Sequence, residues 1–235
     1  MAATYEEIIS DLKKRIFKPV YFLAGEEPYF IDLITGYIEE NVLGEEEKAF
    51  NQIILYGEDT AIGNVIETSR RFPMMATHQV IIVKEAQSLR KIEDLIFYLE
   101  KPLMSTILVI NYKYKSLDKR TRLYKLLDST AVYFESSKLR DYQVPQWIER
   151  YLMGKGVKTE PNAGAMLTEF LGTDLHKIVN ELDKLLITLP AGKQVITTSL
   201  IEKNIGISKD YNNFELQRAI GEKNILKANM IVQHF

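Results

Sequence analysis

The sequence predicts an α/β fold, in which a mostly parallel β-sheet carries helices on both faces and a small helical domain follows. Five short runs rich in β-branched residues recur between positions 20 and 134, and an amphipathic helical pattern separates each run from the next. This alternation is typical of βα units. After about residue 140 the strand-like runs stop and only helical spacing continues.

The elements of the α/β part follow from local patterns. Thr4 and Glu7 have the spacing of a capping box and predict a first helix that ends near Leu12. Pro28 suits the first turn of the next helix, and Asp59 is expected to cap the one after it. Apolar stripes predict helices at residues 30–38, 62–66, 92–99 and 123–127. The strands are predicted at residues 20–23, 53–56, 80–83, 107–110 and 131–134.

Helical patterns continue from Val144 onward. The first ends at Gly154 and Gly156, two more cover 166–171 and 175–186, and Ser199 with Glu202 predicts the capping box of a fourth. Residues 208–213 are polar and predict a linker, and the helical pattern after Phe214 has no stop signal. We therefore expect an α/β domain at 1–140, a helical domain at 141–208 and the beginning of a truncated helical domain at 209–235.

Composition excludes several classes of function. The 235 residues contain no cysteine and three histidines that are far apart, so neither a disulfide framework nor a zinc site is expected. The N-terminus carries acids where a signal peptide carries basic residues, and no apolar run approaches the roughly 18 residues of a membrane span. The net charge of -2 gives no general attraction to nucleic acid. We expect a cytoplasmic protein that uses no metal.

The first strand-to-helix turn lacks the chemistry of a phosphate-binding loop. A P-loop needs several glycines, a lysine and a hydroxyl, but residues 24–27 read Ala-Gly-Glu-Glu before Pro28. Lys84 follows the third strand where an acid would hold magnesium, and Glu85 comes one position late. No bound nucleotide or other cofactor is expected. The same absences are compatible with an α/β domain unrelated to nucleotide-binding proteins.

Four segments, in order along the chain, resemble markers of one family. They are VYFLAGEEPYFI at 20–31, FPMMATHQVIIV at 72–83, KYKSLDKR at 113–120 and GTDLHKIVNELDKL at 172–185. The first resembles the opening signature of the bacterial DNA polymerase III delta subunit, the second its P-[FLM]-[FLM] tripeptide before a strand, the third its K-x-L-D-[KR]-R stretch and the fourth a helix of its lid. Each segment alone is weakly specific, whereas their ordered occurrence covers nearly the whole chain.

This resemblance implies a degenerate AAA+ (P-loop NTPase-like) core, a helical lid and a C-terminal helical collar. It implies a clamp-loader subunit that binds and opens the replicative sliding clamp for loading onto primed DNA, without hydrolysing ATP. The chain would have no catalytic activity of its own, although it would be part of the DNA polymerase III holoenzyme, a DNA-directed DNA polymerase. The implied partners are the sliding clamp (beta subunit), the gamma/tau and delta prime subunits and primer-template DNA, and no membrane. The alternatives are a divergent AAA+ NTPase and a DNA-binding regulator.

The resemblance also implies a clamp-binding site at Met74 and Met75, flanked by Phe72 and Pro73. Pro73 interrupts the preceding helix, and three large apolar residues crowd into four positions, which does not match a single buried stripe. An apolar plug of this kind would gain roughly 1.5–3 kcal/mol for each side chain buried in a partner. The alternative is that Phe72, Met74 and Met75 pack under the sheet.

The remaining candidates are less specific. A basic run is expected either to contact DNA phosphates or a neighbouring subunit, or to be a solvated helix face with Asp118 as its cap; its members are Lys113, Lys115, Lys119, Arg120, Arg122 and Lys125. Trp147 is expected in the core and His176 on an exposed helix surface. Asn180 and Glu181 are expected to be structural or interfacial.

Overall fold

The computed structural model describes residues 3–189, 194–205 and 213–232, and the chain divides into two compact units, Met1–Lys138 and Leu139–Phe235. Positions 208–212 of the linker expected at 208–213 lie outside the described residues. The division into three domains that the sequence predicts, with a separate domain at 209–235, stays a prediction.

A five-stranded parallel sheet forms the centre of the first unit, which confirms the predicted α/β fold. The strand order across the sheet is β2-β3-β4-β1-β5. The strands are β1 (Val20–Gly25), β2 (Gln52–Tyr56), β3 (Gln79–Lys84), β4 (Thr106–Lys113) and β5 (Val132–Ser136). All five predicted strands are present, and each is one to four residues longer than its apolar run or shifted by one or two.

Both faces of the sheet are covered, because successive side chains of a strand point to opposite faces. Phe22, Ile81 and Leu108 belong to one hydrophobic core, whereas Leu23 and Ile82 belong to the other. Every residue of β1 is buried, since β1 lies between β4 and β5. This double coverage explains why the strands read as continuous apolar runs in the sequence.

One helix of the first unit precedes β1, and the others lie between the strands. These helices are α1 (Tyr5–Lys13), α2 (Pro28–Asn41), α3 (Glu45–Asn51), α4 (Ile62–Ser69), α5 (Ile96–Leu99) and α6 (Arg122–Thr130). The predicted capping box of α1 is confirmed: the Thr4 hydroxyl accepts a hydrogen bond from the Glu7 N–H (3.2 Å), and the Glu7 carboxylate accepts one from the Thr4 N–H (2.9 Å). Pro28 begins α2, also as predicted.

Two local predictions in this unit are wrong, and one helix was not predicted. Asp59 does not cap α4, whose N-cap is Ala61, because the Asp59 N–H donates to the Tyr56 carbonyl and forms a turn. The helix expected over 92–99 is a 3₁₀ turn (Ile92–Leu95) followed by the single turn of α5, and it begins after a left-handed Lys91 (φ 57°). Helix α3 escaped prediction because it buries only Asn51 and so has no apolar stripe.

The second unit is mainly helical, as predicted. Its helices are α7 (Val144–Gly154), α8 (Ala163–Leu171), α9 (Leu175–Thr188), α10 (Thr198–Asn204), α11 (Asn213–Gly221) and α12 (Ile225–Val232). Two expectations fail here. Strands do not stop near residue 140, since β6 (Lys158–Thr159) and β7 (Val195–Ile196) form a short parallel pair. Helix α10 is capped by the Thr197 hydroxyl, which accepts from the Leu200 N–H, and Ser199 lies inside the helix.

Gly25 provides a test of how the end of β1 is packed. Its φ is +129°, and a Cβ on it would lie 2.0 Å from the Ser136 carbonyl oxygen. Gly25→Ala should therefore lower the free energy of unfolding by at least about 3 kcal/mol in urea denaturation, through strain and a backbone clash. Gly36→Ala is the matched control in α2, because a Cβ built there would meet no described atom within 4 Å apart from its chain neighbours and the backbone of its own helix. It should be neutral or stabilise by up to about 1 kcal/mol, and equal stabilities of the two variants would contradict this description.

Candidate functional site

The loop at residues 70–78 presents three large apolar side chains to solvent. It connects α4 to β3, and Phe72 is 76% exposed, Met74 is 62% exposed and Met75 is fully exposed. Pro73 is half-buried. The alternative in which Phe72, Met74 and Met75 pack under the sheet is therefore wrong. Monomeric proteins rarely expose clustered apolar side chains of this size without a partner for them.

The backbone of this loop turns sharply at Met75. Its φ of 53° lies in the left-handed region, which a residue with a side chain enters at a cost of roughly 1–2 kcal/mol. Pro73, two residues earlier, has a fixed φ and no N–H to donate. The loop therefore projects Met74 and Met75 outward in a conformation that the surrounding structure must hold.

A buried asparagine at the end of α3 holds the loop. The side-chain oxygen of Asn51 accepts from the Met74 N–H (2.6 Å), and its side-chain amide donates to the Met74 carbonyl (3.0 Å) and to the Glu47 carbonyl (3.0 Å). Asn51 is 2% exposed. The sequence did not indicate this residue, because no local pattern connects position 51 with position 74. The two positions are brought together by the pairing of β2 with β3, since Asn51 directly precedes β2 and the loop directly precedes β3.

The end of α4, where the loop starts, is held by the buried side chain of Gln79. Its amide donates to the Arg71 carbonyl and to the Thr106 hydroxyl (2.8 Å), and the Thr106 hydroxyl donates to the Ser69 carbonyl (2.9 Å). Gln79 and Thr106 are the first residues of β3 and β4. The polar residue before the apolar run at 80–83 therefore anchors the loop to the sheet.

Two further exposed apolar residues lie at the same edge of the sheet. Phe50 is the last residue but one of α3, directly before Asn51, and Met104 lies two residues before β4. Parallel pairing brings the amino ends of β2, β3 and β4 together. The apolar surface around Phe72, Met74 and Met75 is therefore wider than the sequence indicated.

The turn after β1 is closed by its own carboxylate. Glu27 is buried at the N-terminus of α2, and its side chain accepts from the Tyr29 N–H (3.0 Å). Gly25 packs against Ser136 so closely that even a Cβ is excluded. A helix N-terminus at this position attracts anions in P-loop proteins, whereas here a protein carboxylate already occupies it.

The neighbouring strand ends carry ion pairs. Lys84, which replaces the expected magnesium-binding acid, pairs with Glu39 (3.2 Å). The Nζ of Lys113 lies 2.7 Å from an Asp32 oxygen and 3.5 Å from a Glu85 oxygen. Burial alone would lower the pKa of Lys113, but the hydrogen bond from Lys113 to Asp32 and the charges of Asp32 and Glu85 outweigh it and raise this pKa.

The basic run does not form one solvated helix face. Lys113 belongs to β4, and only Arg122 and Lys125 lie in α6, whose cap is Thr121 rather than Asp118. Asp118 instead pairs with Arg120, and besides the pairs of Lys113 described above the run contains two more ion pairs with acids. They are Lys119–Glu135 (3.1 Å) and Arg122–Glu100 (2.7 Å). Four of the six basic residues are therefore paired, which weakens the case for a phosphate-binding patch.

The candidates of the second unit are half-buried or exposed on its helices. Trp147 is half-buried rather than in the core, and its ring stacks on that of Tyr151 at 5.6 Å. His176 is half-buried rather than exposed. Asn180 is exposed, and Glu181 pairs with Lys184 (2.8 Å) along α9. Together these contacts describe the surface of a helical unit.

The described part of the chain contains neither a cluster of metal-binding side chains nor a membrane-spanning helix. Among its residues, no group of three histidines, aspartates or glutamates is placed to hold a metal ion. None of the helices within residues 3–189, 194–205 and 213–232 is long and apolar enough to cross a membrane.

Comparison with known proteins places the first unit in a family. The model of the family described as DNA polymerase III, delta subunit, matches residues 21–137. The first unit belongs to this family. A curated relative, the DNA polymerase III subunit delta of Bacillus subtilis, is 26% identical over 220 residues, which are 89% of this chain and 63% of the relative. The chain thus spans less than two thirds of that relative's length.

A solved structure has the same fold as this chain. The Bacillus subtilis DNA clamp loader delta protein superimposes with a TM-score of 0.77 and 22% identity, over 98% of this chain and 70% of that chain. The predicted parallel α/β core is confirmed, and its assignment to the AAA+ class stays a prediction. The RuvB Holliday junction branch migration motor of Thermotoga maritima matches 92% of this chain and 73% of its own at a TM-score of 0.48 and 13% identity, and no conclusion rests on it.

Lys113→Met tests the ion pairs at the ends of β3 and β4. Because the pKa of Lys113 is raised in the folded protein, its stabilising effect is fully present below the ordinary lysine pKa and is lost as the pH rises through the higher, folded-state pKa. At neutral pH the free energy of unfolding of the variant should be about 1–2 kcal/mol lower than that of the wild type, which is what a charged hydrogen bond to a half-exposed partner contributes. Urea denaturation between about pH 7 and about pH 11 measures this difference.

Lys115→Met serves as the control for that experiment, since Lys115 is exposed two residues away. Its stability should match the wild type across the same pH range. A Lys113→Met variant as stable as the wild type at neutral pH, or a difference that grows towards alkaline pH, would contradict the assignment.

Proposed function

We propose that this chain grips the replicative sliding clamp and opens it for loading onto primed DNA, without hydrolysing ATP. One observation carries the proposal: the segment that corresponds to the clamp-binding segment of the family presents Met74 and Met75 to solvent, with Phe72 beside them. Pro73 completes the proposed binding surface. The other exposed apolar residues at this edge, Phe50 and Met104, flank it.

The energetics of such a contact are favourable. Each large apolar side chain that moves from water into a partner's pocket contributes about 1.5–3 kcal/mol, and a few central residues dominate most interfaces. Methionine suits this role, because its unbranched, polarisable side chain adapts to irregular pockets. Burial of Met74 and Met75 together would therefore contribute about 3–6 kcal/mol to the contact.

The mechanism that we propose is mechanical. A subunit without chemistry of its own can act only by binding two states of its partner with different affinities. This chain would bind the clamp opened at one interface more tightly than the closed clamp. The gamma/tau and delta prime subunits and primer-template DNA are its proposed partners, in the cytoplasm, and residues 209–235 are proposed to begin the collar domain.

The geometry at the carboxyl ends of the strands supports a subunit that does not hydrolyse ATP. Glu27 caps α2 where a P-loop holds phosphate, and Lys84 takes the position of the magnesium-binding acid. A nucleotide phosphate at this turn would lie beside the Glu27 carboxylate, and two negative charges at this range repel each other. The ion pairs of the basic run likewise give no support to a DNA-binding regulator.

ATP binding is the first test. Titration calorimetry of the chain with millimolar ATP and magnesium should show no heat beyond dilution, because the anion site at α2 is already filled by Glu27. Saturable binding that the Glu27→Gln variant strengthens would identify the turn after β1 as a nucleotide site, and the chain would then be a divergent NTPase.

The second test is the double variant Met74→Ala/Met75→Ala. Its affinity for the sliding clamp of the same organism should fall by about 2–4 kcal/mol, as for other interface hot spots. Its free energy of unfolding should change by less than about 0.5 kcal/mol, because both side chains are exposed. Surface plasmon resonance and urea denaturation on the same preparation measure the two quantities.

Met153→Ala is the matched control, since Met153 is exposed on α7 of the second unit. It should change neither the clamp affinity nor the stability. The proposal is contradicted if the double variant binds the clamp like the wild type. A fall in stability of about 2–5 kcal/mol per methionine would instead mark these residues as core.

A further inference from the structure

We propose that Asn51 is a positioning residue, whose side chain holds the loop at 70–78 in the one geometry that binds the clamp. The inference rests on the proposed function, because it concerns the same loop. Asn51 lies outside the segment that carries the exposed methionines, and it reaches that segment only through the fold. The proposal therefore assigns part of the binding site to a residue that contacts no partner.

The side chain of Asn51 makes three of the four hydrogen bonds that its amide group can form. Its oxygen accepts from the Met74 N–H (2.6 Å), one N–H donates to the Met74 carbonyl (3.0 Å) and the other donates to the Glu47 carbonyl (3.0 Å). The two bonds to Met74 are reciprocal, as between paired residues of adjacent strands. The side chain thus replaces a neighbouring strand for one residue of the loop and ties that residue to the end of α3.

The loop needs this support at Met74. The next residue, Met75, has a left-handed φ of 53° and a fully exposed side chain. A strained residue keeps such a backbone only when its surroundings over-determine it, and exposed apolar side chains gain by folding back onto the protein. The pair of bonds at Met74 opposes both tendencies, because it fixes the orientation of the peptide groups on either side of that residue.

A positioning role predicts a specific kinetic signature. Asn51 is buried, so its loss removes no contact with the clamp and instead lowers the fraction of molecules with a competent loop. If that fraction falls to about one tenth, the apparent affinity falls about tenfold. The loss should appear in the association rate with the dissociation rate unchanged, whereas truncation of a contact residue changes mainly the dissociation rate.

The experiment compares Asn51→Leu with the wild type, using the purified sliding clamp of the same organism and surface plasmon resonance. Asn51→Leu keeps the side-chain size and removes all three hydrogen bonds. We expect association to slow about tenfold with an unchanged dissociation rate. Met75→Ala, a contact variant, should accelerate dissociation instead. Hydrogen exchange of the free proteins should show faster exchange at residues 72–78 in Asn51→Leu alone.

Asn111→Leu is the matched control, because Asn111 is another buried asparagine of the same unit and its amide oxygen accepts from the Thr35 hydroxyl (2.9 Å), away from the loop. It should lose stability but keep the wild-type association rate. The inference is overturned if Asn51→Leu associates at the wild-type rate, if it accelerates dissociation as Met75→Ala does, or if Asn111→Leu slows association equally.

Two measurements keep this test separate from that of the proposed function. A wild-type chain that does not bind the clamp refutes the proposed function, and exchange at 72–78 still decides whether Asn51 holds the loop. The second measurement, hydrogen exchange of the Met74 backbone amide in the free wild-type protein, needs no variant. This amide should be protected although the Met74 side chain is exposed, and exchange at the rate of an open chain would overturn the inference.

Discussion

Parallel pairing of the five strands is the constraint that places both regions of interest. Because every strand runs in the same direction, the segments that enter the strands meet at one edge of the sheet and the segments that leave them meet at the other. The exposed loop enters β3, and Asn51 enters β2 beside it. The turn with Glu27 leaves β1, and Lys113 ends β4. The proposed clamp-binding surface and the edge at which α/β proteins bind their ligands are therefore at opposite ends of the strands.

The two edges differ in how their polar groups are satisfied. At the carboxyl ends, Glu27 caps α2, and Lys84 and Lys113 are paired with acids, so the charges there neutralise one another. At the amino ends, the side-chain amides of Asn51 and Gln79 bond the loop backbone and leave its apolar side chains in solvent. The polar groups at the carboxyl ends therefore bind one another, whereas the amino ends expose an apolar surface to which a partner could bind. Such preorganisation lowers the ordering cost of association.

The patterns of the sequence predicted the strands and most helices, because burial on both faces and amphipathic spacing leave periodic traces. They failed where structure depends on contacts distant in sequence. Asp59 looked like a cap but belongs to a turn, and α3 has no apolar stripe because only Asn51 is buried. The resemblance indicated Met74 and Met75, but their exposure could not be read from spacing. The bond between Asn51 and Met74 spans 23 residues and required knowledge that β2 and β3 are neighbours.

Site-specific photo-crosslinking tests most directly whether the exposed edge of the sheet contacts the clamp. A benzophenone side chain at position 75 would stand at the tip of the loop, and the same group at position 114 would stand exposed at the opposite edge, where Tyr114 follows β4. With the purified sliding clamp of the same organism, irradiation should join the chain to the clamp from position 75 and not from position 114. Crosslinks from position 114 alone, or from neither position while the complex forms, would contradict this account.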